Sequence, residues 1–277
     1  AGAGLLTFEH QDSNGITDGV IKDTITLPFG DIEKIKEIVV NEKDIACIII
    51  EPIPANMGII KTDKNYLEKI REITEKENII LIFDEVISGF RVSLGGAAEY
   101  YGIKPDLITL GKIIGGGYPV GAFGGKKEIM KFVSPVGNVY HAGTLSGNPV
   151  SVSAGIKTIS ILKKTPEIYL NLKEKTEKLV KKIEELIKEY DILATVNCVE
   201  SLFTIFFSDK RVENLEDAVK TDDEMYKIYF SVMLENGIMV PPSKYESHFI
   251  SLSHSDEDIE KIWKSIEKSF QKIKNKK

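Results

Sequence analysis

Three short apolar runs, each closed by charged or turn-forming residues, constrain this chain more than any other feature. ACIII at 46–50 ends in Glu51-Pro52, IILIF at 79–83 ends in Asp84-Glu85, and LITL at 107–110 ends in Gly111-Lys112. Unbroken runs of this length suit strands covered on both faces. Amphipathic stretches separate them. Residues 31–39 place Ile32, Ile35, Ile38 and Val39 at helical spacing behind Asp31 as N-cap, and 63–76 and 97–101 are further helices. Alternation of this kind predicts an α/β fold with a mainly parallel sheet. Ligands of open parallel sheets bind at the carboxyl ends of the strands, so Glu51, Asp84 and Lys112 are expected at one crevice.

The remainder organises around that sheet. Residues 148–164 form a helix of small and apolar residues, expected to be buried. Residues 167–188 form a long amphipathic helix, with the Lys/Glu run at 171–189 on a solvated face. Beyond Asp191 the pattern becomes strands at 193–198, 202–208, 238–240 and 249–252, with helices at 222–236 and 256–273. The expected division is a Gly-rich, loop-like segment at 1–28 with a short strand at 24–27, and a large-domain portion at 29–165. A connecting helix at 166–190 and a small α+β domain at 191–277 follow.

Composition excludes several functions. Lys and Arg number 36 against 42 Asp and Glu, a net charge of −6, which argues against nucleic acid or an anionic membrane as partner. No apolar run approaches the ~18 residues of a membrane span. Cys47 and Cys198 sit in apolar runs and are expected to be buried free thiols in a reducing, cytoplasmic setting. His248 and His254 lack ligand spacing, so no metal site is expected.

A lysine at a strand end, flanked by Gly111 and Gly115–Gly117, suggests specific chemistry. Burial there would favour the free amine, the form that attacks carbonyls. Asp84, 28 positions earlier on the neighbouring strand, could pair with a ring-nitrogen cation. A lysine amine and an aspartate for the pyridinium are what proteins contribute to pyridoxal phosphate chemistry. Val86 would share a side with Asp84 if the backbone stays extended, and could pack on a ring face. The turn HAGTLSGNP at 141–149 offers Gly143, Thr144 and Ser146 to a phosphate ahead of a helix N-terminus.

FDEVISGFR (83–91), PDLITLGKIIGGGYPVGAFGG (105–125) and YHAGTLSGNP (140–149) resemble the class III, pyridoxal-phosphate-dependent aminotransferases of fold type I. EPIPANMG (51–58), FTIFFSD (203–209) and PPSKYESHFISLSHSDEDI (241–259) resemble the family's aminomutase branch, which moves an amine within one small-molecule substrate. The resemblance implies that Lys112 is the Schiff-base lysine and proton shuttle, Asp84 the pyridine-nitrogen partner and Val86 the ring-packing residue. It further implies that Thr144, with Gly143, reaches the cofactor phosphate of a second subunit in a homodimer with shared sites. Asn56 would line the cofactor pocket, Glu246 would lie near the substrate, and residues 1–24 would gate the site. The cofactor would alternate between its pyridoxal and pyridoxamine forms.

The chain opens AGAG without an initiator Met, and matches the family only beyond roughly its first third. It is therefore expected to be the C-terminal portion of a longer protein. The family's phosphate-binding Gly-Ser/Thr turn, ring-stacking aromatic and carboxylate-anchoring arginine would lie in the part that precedes it. Two further readings stay open on the sequence: a class III aminotransferase with separate amine donor and acceptor, and a non-catalytic fragment of the fold.

Overall fold

The computed structural model describes Leu6–Thr7, His10–Gln11 and residues 17–276. In chain order its strands are β1 (Leu6–Thr7), β2 (His10–Gln11), β3 (Cys47–Ile50), β4 (Ile80–Asp84), β5 (Leu107–Leu110), β6 (Ala122–Gly125), β7 (Thr195–Val199), β8 (Leu202–Phe206) and β9 (His248–Phe249). The helices are α1 (Asp18–Lys22), α2 (Ile32–Asn41), α3 (Lys64–Lys76), α4 (Gly96–Tyr101), α5 (Lys127–Met130), α6 (Pro149–Lys164), α7 (Glu167–Tyr190), α8 (Leu215–Val219), α9 (Asp223–Glu235) and α10 (Asp256–Lys274), with a 3-10 turn at Lys112–Gly115. Of the loop-like segment at 1–28, read as gating over 1–24, residues 1–5, 8–9 and 12–16 lie outside the described residues. At 24–27, where a strand was expected, the backbone is irregular, as it is at 238–240.

Two compact units emerge. The sheet unit takes Lys36–Ile53 and Thr62–Leu170; the other takes the described residues of Ala1–Ile35, Pro54–Lys61 and Asn171–Lys277. The sheet unit carries four strands in the order β3-β4-β5-β6. β3, β4 and β5 are parallel and β6 is antiparallel to β5. The α/β, mainly parallel architecture is therefore present. Its core includes Leu67 and Ile70 of α3 with Leu81 and Phe83 of β4, all fully buried. Asp63 opens α3 by accepting the amide of Asn65 at 3.1 Å.

The amino ends of the strands are tied by charge. Asp106 is buried and accepts from Arg71 Nη1 at 2.8 Å and the Leu81 amide at 2.7 Å, with Lys126 Nζ at 2.5 Å. Desolvation pushes its carboxyl up, but Lys126, the Leu81 amide and Arg71 outweigh it and hold the group below the usual range.

Two burial expectations need correction. Among the described residues β3 is an edge strand, with Cys47 exposed and Ile49 61% exposed, so it is not covered on both faces. α6 is not a buried helix: Ser151 and Gly155 are its buried residues, while Val150, Val152 and Ile156 are exposed. Apolar content specifies which surfaces can be covered; it does not specify by what. Cys198 is only half-buried, and burial raises its thiol to about 11.

The second unit is α+β. β7, β8 and β9 form an antiparallel sheet in that order, and every residue of β8 is buried. α10 begins with a capping box in which Ser255 and Asp258 satisfy each other's backbone amides. At its centre, His248 stacks on Phe203 with ring centroids 4.8 Å apart, and its Nε2 meets the Tyr229 hydroxyl at 3.0 Å.

Burial pushes His248 down from 6.5 to about 4. Between those values the unfolded chain binds a proton that the native imidazole does not. Stability is therefore full above pH 6.5 and falls as the pH drops toward 4, by up to about 3 kcal/mol. Urea unfolding of wild type and His248→Gln at pH 7, 5.5 and 4 checks this. The two free energies should converge as the pH falls, and a pH-independent gap would refute the assignment.

Candidate active site

Register places the chemistry. Ile50 pairs with Phe83, and Asp84 pairs with Thr109, across parallel neighbours. Glu51, Asp84 and Lys112 consequently leave the same edge of the sheet, as strand topology predicted.

Asp84 is the last residue of β4 and is half-buried. Its Oδ1 accepts from the Val86 amide at 3.1 Å and from the Thr109 hydroxyl at 3.2 Å. Among the described residues Oδ2 takes no hydrogen bond, so one oxygen is oriented by its twin and left to meet a cation. Thr109 was not singled out in the sequence. Its role depends on pairing between residues 25 apart, and only an inward polar residue in an apolar run hinted at it.

The backbone does not stay extended to Val86, as the simple alternation argument required. β4 stops at Asp84 and a turn follows. Buried Glu85 anchors that turn, accepting from the amides of Ala97 at 2.5 Å and Ala98 at 2.9 Å and from Ser88 Oγ at 3.1 Å. Desolvation raises its carboxyl against these donors. Val86 nevertheless stands beside the lysine loop. A Cβ on Gly111 would come within 3.2 Å of Val86 Cγ1, so the glycine admits the valine.

Lys112 is exposed, which corrects the expectation that it is buried. Its backbone is left-handed, with φ 48°. A lysine adopts that region at a cost of about 1 kcal/mol, and such strain concentrates at functional positions. Helix α6 braces the turn. A Cβ on Gly155 would meet the Ile114 carbonyl at 2.0 Å, and one on Gly116 the Ala154 carbonyl at 2.7 Å. Only glycines permit that approach.

Gly143 and Thr144 lie in the exposed turn before α6. Asn148 shapes it, accepting from the Ser151 amide at 3.0 Å and donating to the Leu145 carbonyl at 3.0 Å. Asn56 and Glu246, both half-buried, belong to the other unit, where their loops meet. The Gly58 amide donates to the Tyr245 carbonyl at 2.6 Å, and Ser247 Oγ donates to the Ala55 carbonyl at 3.2 Å. Among the described residues no cluster of His, Cys, Asp and Glu could hold a metal ion.

The donor set of the sheet unit suits pyridoxal phosphate. It offers a reachable primary amine, a carboxylate oxygen for a ring cation, and a branched apolar side chain seated against a glycine.

Comparison with known proteins agrees. The family model Aminotransferase class-III matches residues 14–270. The chain is 62% identical over 277 residues to a Fusobacterium nucleatum protein named glutamate-1-semialdehyde 2,1-aminomutase, covering all of this chain and 64% of that protein. It superposes on an omega-transaminase from Sphaerobacter thermophilus with a TM-score of 0.87 at 30% identity, over 94% of this chain and 60% of the other. A glutamate-1-semialdehyde-aminomutase from Pseudomonas aeruginosa PAO1 in complex with PMP shares the fold, with a TM-score of 0.78 at 19% identity, over 88% of this chain and 56% of that one. The chain thus spans 56–64% of the length of these relatives. It belongs to the class III aminotransferases, a pyridoxal-phosphate-dependent family of fold type I.

Proposed function

We propose that the protein carrying this chain is a glutamate-1-semialdehyde 2,1-aminomutase. It would move the amine of glutamate 1-semialdehyde from one carbon to its neighbour, yielding 5-aminolevulinate for tetrapyrrole synthesis. The observation that carries the reading is the register of β4 and β5, by which Asp84 and Lys112 leave the same edge of the sheet. The 62% identity over the whole chain to a protein of that name supports the choice of branch.

Bound pyridoxal phosphate supplies an electron-withdrawing ring that stabilises charge on the carbon beside the amine. Asp84 Oδ2 would keep the proton on the ring nitrogen, its carboxylate oriented by Thr109. Val86 would pack on the ring and fix its tilt. The Lys112 amine would take a proton at one substrate carbon and return it at the next, acting as general base and then acid. Asn56 and Glu246 would line the cofactor and substrate. Gly143 and Thr144 would donate to the phosphate bound by a partner copy.

That last role requires a homodimer, and exposed apolar side chains around the turn support one. Val136 is 81% exposed, Tyr140 82% and Leu145 70%, and Val150 and Ile156 of α6 are exposed as well. Large apolar side chains left this exposed are what an interaction face would cover. The same reading places the protein in the cytoplasm, in keeping with two unpaired cysteines. Among the described residues no helix is long and apolar enough to cross a membrane.

The direct test is borohydride reduction with pyridoxal phosphate, followed by peptide mapping and by turnover of glutamate 1-semialdehyde without added 2-oxoacid. A single pyridoxyl group on Lys112, lost in Lys112→Ala along with at least about a thousandfold in rate, is expected. Scattered labelling of surface lysines, or turnover that needs a 2-oxoacid, would defeat the reading. Thr109→Val should lower kcat about fivefold, the equivalent of one hydrogen bond of about 1 kcal/mol, with the fold unchanged by circular dichroism. Sedimentation equilibrium should give twice the chain mass, and Leu145→Glu should shift it toward the monomer. A wild-type monomer at micromolar concentration would remove the shared-site element.

A further inference from the structure

Lys244 is a charged side chain more than nine-tenths buried, two positions before Glu246. Its ammonium donates to the carbonyls of Val219 at 3.0 Å and Thr221 at 2.8 Å, and pairs with Asp223 Oδ1 at 2.9 Å. Three donors thus meet three acceptors. Two of the acceptors are backbone groups at the carboxyl end of α8 and in the link to α9, where a cation is favoured. One turn along α9 from Asp223, the Tyr226 hydroxyl is shared between the carbonyls of Pro241 at 2.7 Å and Ser243 at 3.1 Å. Burial, then the charge of Glu246, pushes that phenol up, which sets Glu246 within electrical reach of Tyr226.

The 241–247 loop is therefore gripped at both ends of its Ser243–Lys244 step. It passes that order on through two further bonds: Tyr245 accepts the Gly58 amide, and Ser247 donates to Ala55, on either side of Asn56. Gly58 is a position that no other residue can take. Its φ is +76°, and a Cβ there would lie 2.2 Å from Phe206 Cζ.

We propose that Lys244 is a positioning residue, and that together with Tyr226 it clamps the loop bearing Glu246 and, through Tyr245 and Ser247, the turn bearing Asn56. The kinetic consequence rests on the reading of Glu246 and Asn56 given above; the mechanical one does not. A lysine serving stability alone would loosen the whole unit when replaced. A positioning lysine loosens one loop and the turn joined to it.

The experiment compares Lys244→Met, Lys244→Arg and Tyr226→Phe in the intact holoenzyme by amide hydrogen exchange and steady-state kinetics. In Lys244→Met the Gly58 and Glu246 amides should exchange about tenfold faster, while those of β7 and β8 keep their wild-type rates. KM for glutamate 1-semialdehyde should rise about fivefold with kcat within about twofold. Tyr226→Phe should act in the same direction, and Lys244→Arg should restore both readouts. Unchanged Gly58 exchange in both Lys244→Met and Tyr226→Phe, or equal acceleration across β7 and β8, would overturn the clamp. Glu246→Gln separates the two levels. An unaltered KM there would sink the substrate role of Glu246, and the Gly58 exchange would still decide for or against Lys244.

Discussion

The hydrogen-bonded register of β4 and β5 governs where chemistry can occur in this chain. Because Asp84 lies opposite Thr109, the carboxylate gains an orienting hydroxyl from the next strand, and Lys112 emerges one short turn farther along the same edge. A slip of one residue would reverse the side of every group on β5 and carry the threonine away from Asp84. The buried charges at the other end of the strands resist such a slip. Asp106 binds the Leu81 amide directly, so the start of β5 is pinned to the start of β4 by a carboxylate as well as by the ladder.

Glycines then set the site's shape at short range. Gly111 admits Val86, and Gly116 with Gly155 lets α6 sit against the turn that Lys112 opens. The left-handed backbone at Lys112 persists because that packing leaves the turn little freedom to relax. In the other unit, the loops of Asn56 and Glu246 are organised by a different device, side chains donating to backbone carbonyls.

Much of this was legible in the sequence, for physical reasons that can be named. Asp63, Asn148 and Asp222 stand where helices start because each short polar side chain can take an amide of the first turn, as each does. The run-ending positions of Asp84 and Lys112 followed from strand polarity alone. Thr109 and Lys244 did not, because their partners are set by tertiary register: Asp84 lies 25 residues from the threonine, and Thr221 lies 23 from the lysine. The exposure of Lys112, α6 and Cys47 was misread for a related reason, since an apolar or glycine-rich neighbourhood says nothing about which neighbours are in place. Ile238–Val240 resembles a strand in composition, yet its backbone bonds locally to the end of α9 instead, the Ile238 amide donating to Met233.

The edge position of β3 has a practical consequence. Its outer rim presents backbone donors and acceptors with no strand beside them among the described residues, next to an exposed isoleucine and an exposed thiol. Such a rim is a template for any extended segment. In a concentrated preparation of the chain, two rims can zip together as an intermolecular sheet, and air oxidation at Cys47 can make the pairing permanent. Reductant, and a lysine in place of Ile49, would keep the preparation dispersed, so handling of this polypeptide is governed by one four-residue strand.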